Sequence, residues 1–175
     1  IPSSVGGAVV MNAGAGEEDI KNILVKVKFL NISDLVLTEL SRDELKFGYR
    51  DSIFQRNRDM IVIKAWFKLK RCDKLTIRAK MDSIKEARWA KQPRDFPNCG
   101  SVFKRPVGRF VAPMIDELGL KGFTIGGAQI SLKHSGFIVN KDNATGEDIL
   151  LLVKEIQTRV SYKFGITLEL EQKVI

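Results

Sequence analysis

The segment Asn98-Cys99-Gly100-Ser101-Val102-Phe103-Lys104-Arg105-Pro106 sets a hydroxyl and two cations in a turn beside a short apolar run. A serine so placed acts as a nucleophile when a histidine and a carboxylate support it. The only histidine is His134, which reads as a structural hydrogen-bonder, so the sequence offers Ser101 no evident triad. A serine can instead donate a proton to a developing carbanion when a nearby cation favours the transfer. The plainer alternative is a turn serine beside an anion-binding pair of cations. Arg50, in Tyr49-Arg50-Asp51-Ser52-Ile53-Phe54, is a second candidate. Its planar fork of donors matches a carboxylate, although a surface pairing with Asp51 accounts for it as well. Glu169 and Glu171 form a third, because alternate residues of an extended strand share a face. Two exposed glutamates on an edge strand is the competing reading. The glycine- and alanine-rich run from Ser3 to Gly16 would let a ligand approach the backbone. It lacks the spacing of a dinucleotide-binding fingerprint and also fits a tight glycine turn.

Composition narrows the function classes. The chain has 175 residues, 44% of them hydrophobic, enough for one ordinary domain or two small ones. Its net charge of +8 favours anionic partners. The cations are spread along the chain, and only Phe67-Lys68-Leu69-Lys70-Arg71 is dense, so a nucleic-acid partner is not expected. Cys72 and Cys99 are the only cysteines and form no CxxC pair, which points away from zinc or a disulfide framework and towards the cytoplasm. With one histidine there is no basis for a histidine-rich metal site. No apolar run reaches membrane-spanning length. The opening Ile1-Pro2 is no natural translation start, and the glycine motif is already under way there, so the chain is expected to be a piece of a longer protein.

The elements that must position these residues can be read from periodicity. Ile23 to Leu30, Leu35 to Leu40 and Ile61 to Phe67 read as strands, and Ser41 with Glu44 as a cap on a short helical turn. The first region therefore reads as mostly β. Asp73 to about Ala90 reads as a helix, with Leu75, Ala79, Ile84 and Ala87 at compatible spacings. Gln92-Pro93-Arg94-Asp95-Phe96-Pro97 then breaks it, placing a boundary between residues 1–92 and 93–175. The second region reads as a strand (Ser101 to Lys104), a helix (Arg109 to Leu118, with Pro113 tolerable only near its start), strands near Thr124 to Ile130 and Gly136 to Val139, a helix and a closing strand (Ile166 to Val174). Thr145 with Asp148 signals a capping box, followed by the apolar face Ile149, Leu152, Val153, Ile156 and Val160. The expected class is α+β, with a split-βαβ (βαββαβ) second domain.

Taken together, Ile1-Pro2-Ser3-Ser4-Val5-Gly6-Gly7-Ala8, Asn12-Ala13-Gly14-Ala15, Tyr49-Arg50-Asp51-Ser52, Gly100-Ser101-Val102-Phe103-Lys104-Arg105-Pro106, Gly126-Gly127-Ala128-Gln129-Ile130-Ser131 and Leu168-Glu169-Leu170-Glu171 resemble the UDP-N-acetylenolpyruvoylglucosamine reductase (MurB) flavoenzymes. The resemblance runs through nearly the whole chain. It departs at Ser3, where the family usually has glycine, and at Lys133, where it often has an acidic residue. It implies the C-terminal part of an FAD-binding α+β domain followed by a substrate-binding domain. It further implies NADPH-dependent, FAD-mediated reduction of UDP-N-acetylglucosamine enolpyruvate to UDP-N-acetylmuramate, in the cytoplasm, by a monomer acting without membrane or nucleic acid. The implied roles are carboxylate binding for Arg50, proton donation for Ser101 and charge stabilisation for Glu171. Flavin contacts fall on Ile1, Ser4, Val5, Gly6, Gly7, Ala8 and Val62, and substrate contacts on Tyr49, Lys104, Arg105 and Gln129. No metal is implied. The family's N-terminal part supplies much of its FAD cradle, so these 175 residues alone are expected to bind FAD weakly or not at all. No long insertion between Lys70 and Gln92 corresponds to the tyrosine-bearing loop of one MurB subclass. Another FAD-linked oxidoreductase, or a non-enzymatic anion-binding module, are the alternatives.

Overall fold

A computed structural model describes residues 4–16 and 18–174. The chain forms two compact units, residues 1–72 and 73–175, each with its own hydrophobic core.

The first unit opens with a helix, not the glycine turn that its composition suggests. Helix α1 spans Val5–Val10, and Ser4 caps it, its Oγ accepting from the Gly7 amide at 3.1 Å. Two glycines disfavour a helix here. Full burial of Val9 offsets that cost by driving one face of α1 into the core. A two-residue ladder follows, β1 (Gly14–Ala15) with β2 (Glu18–Asp19). The main sheet has the order β4-β3-β5, with β3 at Leu24–Asn31, β4 at Val36–Ser41 and β5 at Met60–Phe67, all antiparallel. Leu24, Val27 and Phe29 of β3 point into the core with Leu45 and Phe54. Phe54 belongs to α2, a single turn over Ile53–Arg56. The expected helical turn after Ser41 is a plain turn, although the Ser41 amide and hydroxyl both donate to Glu44, at 2.8 and 2.6 Å.

In the second unit α3 (Lys74–Lys91) is capped by Asp73, which accepts from the amides of Leu75 and Thr76. None of its residues is buried. The compact unit thus starts before this helix, whereas the sequence placed the boundary after it. The sheet has the order β6-β9-β8-β7, from β6 (Asn98–Ser101), β7 (Thr124–Ile125), β8 (Ala128–Ile130) and β9 (Phe137–Asn140). Its pairings are antiparallel throughout. The α+β class holds, but two details differ from βαββαβ. Gly126-Gly127 folds the expected Thr124–Ile130 strand into a tight hairpin, as Gly-Gly pairs favour. The closing strand is reduced to one bridge, Phe103 with Leu170.

Two helices cover this sheet. In α4 (Val111–Glu117), Pro113 occupies the third position, where the amide has no intrahelical acceptor to lose. In α5 (Gly146–Phe164), both halves of the Thr145–Asp148 capping box form. Amides of Thr145 and Gly127 donate to the Asp148 carboxylate and hold its pKa below the usual carboxylate value. Leu152, Val153, Ile156 and Val160 are buried as the spacing predicts, and Gly165 ends the helix at φ 67°.

Candidate active site

Ser101 ends β6 immediately after a bulge. Asn98 pairs with Val139 and Ser101 with Phe137, so one extra residue is accommodated between them. Gly100 lies there at φ 83°, a left-handed conformation that suits glycine, and the Asn98 carboxamide accepts from its amide at 3.1 Å. The Asn98 Nδ2 donates to the carbonyls of Pro93 and Phe96, anchoring the turn from below. After the bulge Val102 and Phe103 are buried, which leaves Ser101 exposed at the rim. The expected strand Ser101–Lys104 therefore serves two partners. Its start pairs with β9, and residues 102–104 pair with the C-terminal tail.

That tail pairing assembles most of the second unit's candidates. The Lys104 amide donates to the Glu169 carbonyl at 2.8 Å, and the Glu171 amide to the Val102 carbonyl at 2.9 Å. Glu171 thus lies across from Val102, one residue from Ser101. The Lys104 ammonium meets the Glu169 carboxylate, and Gln172 donates to the Gly100 carbonyl at 3.4 Å. Leu168 is 1% exposed and fastens the tail to the core, while Gln157 of α5 donates to its carbonyl at 2.8 Å. Arg105 stacks over Phe110 with its Cζ 5.3 Å from the ring centre. Gln129 is placed apart from this cluster. Its Nε2 donates to the Gly122 carbonyl and the Thr124 hydroxyl, both at 3.2 Å, bracing the β7–β8 hairpin. His134 caps its own turn. Its Nδ1 accepts from the Gly136 amide at 3.1 Å, the ring lies edge-on to Phe137, and burial lowers its pKa.

In the first unit, Tyr49 and Arg50 form the tip of a turn closed by Gly48 and Asp51. Arg50 adopts φ 53°, which costs a non-glycine residue about 1 kcal/mol and marks a position fixed by its surroundings. Its Nη1 donates to the Asn12 carbonyl at 3.3 Å and its Nη2 to the Gly14 carbonyl at 2.6 Å. Asp51 pairs with Arg56 and not with Arg50. Ser52, fully buried, donates to the Val10 carbonyl at 2.7 Å. The Tyr-Arg-x-Ser motif is thereby tied to the segment that leaves α1.

Among the expected flavin contacts, Ser4, Val5, Gly6 and Gly7 occupy the accessible first turn of α1, and a Cβ on Gly6 would approach Val62 of β5 to 4.0 Å. Val62 is partly buried and packs against the core beside Gly6. Ala8 faces the other way. It is 8% exposed, its amide donates to the Ser4 carbonyl, and its carbonyl accepts from Ala13. Its side chain serves the core. Ile1 lies outside the described residues. Reading the sequence alone missed Asn12, Asn98, Gln157 and Leu168. Only Asn12 gave a local hint, because asparagine tolerates left-handed backbone. Among the described residues, no group of three or more His, Cys, Asp or Glu could hold a metal, and no helix is long and apolar enough to cross a membrane.

Residues 92–175 match the model of the UDP-N-acetylenolpyruvoylglucosamine reductase C-terminal domain. All 175 residues align at 49% identity with the UDP-N-acetylenolpyruvoylglucosamine reductase of Latilactobacillus sakei, covering 57% of that protein. Residues 92–175 belong to the UDP-N-acetylenolpyruvoylglucosamine reductase C-terminal domain family, and the whole chain is similar to these reductases. The reductase of that name from Pediococcus pentosaceus is 46% identical over the same span, 58% of its length. The crystal structure of MurB from Thermus caldophilus superposes with a TM-score of 0.83 at 37% identity, covering 99% of this chain and 61% of that one. The chain therefore spans a little over half the length of the curated MurB relatives it matches. Within it, the family match begins at the end of α3 and contains Ser101, Lys104, Gln129 and Glu171.

Proposed function

We propose that the full-length protein reduces UDP-N-acetylglucosamine enolpyruvate to UDP-N-acetylmuramate in peptidoglycan precursor synthesis, as a cytoplasmic, monomeric flavoenzyme. The observation that supports this reading is the pairing of residues 102–104 with the tail, in which the Glu171 amide meets the Val102 carbonyl, next to Ser101 in sequence, and Lys104 meets Glu169. The first turn of α1 with Val62 fits one edge of a flavin cradle, since Gly6 and Gly7 leave backbone accessible there. A flavin held by Ser4, Val5, Gly6, Gly7 and Val62 would supply hydride equivalents drawn from NADPH.

The chain's own residues supply position, charge and a proton. Arg50, its guanidinium steadied by the Asn12 and Gly14 carbonyls, directs its positive charge at the enolpyruvyl carboxylate and orients the double bond, with Tyr49 beside it. Ser101 gives its hydroxyl proton to the carbon bearing that carboxylate. The bulge at Gly100 keeps this hydroxyl exposed at the end of a strand. Glu171 acts on the charge that develops as the proton transfers. Lys104, held by Glu169, and Arg105 provide positive charge for the diphosphate. Gln129 braces the hairpin and makes any substrate contact from there.

The test is NADPH oxidation by the full-length protein with UDP-N-acetylglucosamine enolpyruvate, wild type against Ser101→Ala. Loss of a positioned general acid lowers turnover by about 10²–10⁴-fold. The expected outcome is such a loss with the flavin retained. No substrate-dependent oxidation by the flavin-loaded wild type would overturn the function. Undiminished turnover in Ser101→Ala would overturn the assigned proton donor.

A further inference from the structure

Asn12 is fully buried and lies at φ 43°, yet none of the reactive residues is its neighbour in sequence. Its side-chain amide joins three segments. Nδ2 donates to the Asp19 carboxylate at 3.0 Å and to the Gly48 carbonyl at 2.8 Å, while Oδ1 accepts from the Lys21 amide at 3.1 Å. Both N–H donors are committed to acceptors, so turning the amide over would set its oxygen against a carboxylate and a carbonyl. Its backbone carbonyl takes the Arg50 Nη1. Asn12 therefore holds the turn that carries Arg50 from one side, at Gly48, and receives the guanidinium from the other.

We infer that Asn12 is a positioning residue for Arg50, setting the direction in which the guanidinium meets the substrate carboxylate. The inference rests on the carboxylate-binding role proposed for Arg50. Two features argue for positioning beyond simple packing. The contacts close a ring, Asn12 to Gly48 through the side chain and Arg50 to Asn12 through the backbone, so any shift of Asn12 is passed to both ends of the turn. The Arg50 backbone is also clamped from outside that ring, because Gln55 Nε2 donates to its carbonyl at 2.5 Å. A left-handed arginine clamped at its carbonyl and steered at its guanidinium has little freedom to search for a carboxylate. Its guanidinium is directed by the carbonyls of Asn12 and Gly14, on the segment that the Asn12 side chain ties to the turn.

A comparison of two ligands separates positioning from general support. UDP-N-acetylmuramate carries a carboxylate and UDP-N-acetylglucosamine lacks one. Calorimetric titration of the full-length, flavin-loaded protein with each should show that Asn12→Gly, which suits the left-handed backbone, weakens the first about tenfold, as for a misaimed charge-assisted pair, and changes the second less than about twofold. Equal weakening of both ligands, or of neither, overturns the positioning role. If Asn12→Gly does not fold, Asn12→Ser, which adds no charge and leaves the Gly48 and Asp19 acceptors without the amide donors, takes its place in the same comparison. Failure of both variants to fold makes Asn12 a folding determinant alone and also overturns the inference. A wild type that shows no preference for the carboxylate ligand overturns the functional reading itself, and the inference with it.

Discussion

Leu168 is predicted to be the anchor that keeps Glu171 beside Ser101. The side chain is 1% exposed within the second unit's core, and Leu→Ala at such sites costs about 3–5 kcal/mol. What remains to hold the tail is small. The bonds from Lys104 to Glu169, from Glu171 to Val102 and from Gln157 to the Leu168 carbonyl contribute about 1 kcal/mol each, near 3 kcal/mol in all. The surface ion pair between Lys104 and Glu169 adds at most about 1 kcal/mol. Leu168→Ala should therefore shift tail opening by about 3 kcal/mol, roughly a hundredfold in population. Amide hydrogen exchange reads this at the Lys104 and Glu171 amides, whose protection should fall by about that factor. Leu152→Ala, a comparable loss from the middle of α5, is the control. It lowers overall stability but should leave local opening of the tail unchanged. In the full-length protein Leu168→Ala should reduce turnover as far as Glu171→Gln does. Unchanged protection of the Lys104 and Glu171 amides in Leu168→Ala would refute the reasoning, since the tail would then be held by something other than this side chain.

Gly127→Ala should destabilise the second unit by about 2–4 kcal/mol in urea unfolding: its Cβ would lie 2.0 Å from the Asp142 carbonyl oxygen, and relieving that contact disrupts the bonds from the Lys141 and Asp142 amides and the bond from the Gly127 amide to Asp148. Gly100→Ala meets nothing within 4 Å and should cost only the left-handed backbone term, about 1 kcal/mol, so an equal effect for both would contradict the packing. His134, the sole histidine, should titrate below the ordinary value of about 6.5, because burial disfavours the imidazolium and protonating Nδ1 would set a proton against the Gly136 amide. Its lowered pKa contributes stability that is complete above about pH 6.5 and is lost as pH falls through the folded value; a single imidazole NMR signal titrating at or above 6.5 would contradict this.

The elements legible in the sequence were those whose signals are local. Helix α5 announced itself through Thr145, Asp148 and an apolar face at helical spacing, and each of those residues does what its type and position require. The Ser101 motif was legible for the same reason, since the hydroxyl, the cations and the glycine are contiguous. Helix α1 was not legible. Two glycines argue against a helix, and what outweighs them is burial of Val9 in a core whose other members lie 15 to 45 residues further along. The tail misled in the opposite direction. Alternation from Ile166 to Val174 predicts a strand, but it forms a ladder only where Lys104, Phe103 and Val102 offer acceptors and donors. The bulge at Gly100 has a similar origin, for it lets one short segment serve β9 with its start and the tail with its end.

The candidate turn of each unit follows the same construction. A turn carrying the reactive residue, with Arg50 in one unit and Ser101 in the other, is held by hydrogen bonds to a segment far away in sequence. In the first unit that segment is residues 12–14, 36 to 38 residues before its partners. In the second it is residues 169–172, whose side-chain contacts reach 65 to 72 residues back. Residue type announces which group can do chemistry, because chemistry needs particular functional groups in a short span. Aim is set by closure of a long loop, and the residues that supply it are amides and aliphatic anchors such as Asn12 and Leu168. Their types carry no chemical signature, so only the folded chain reveals them.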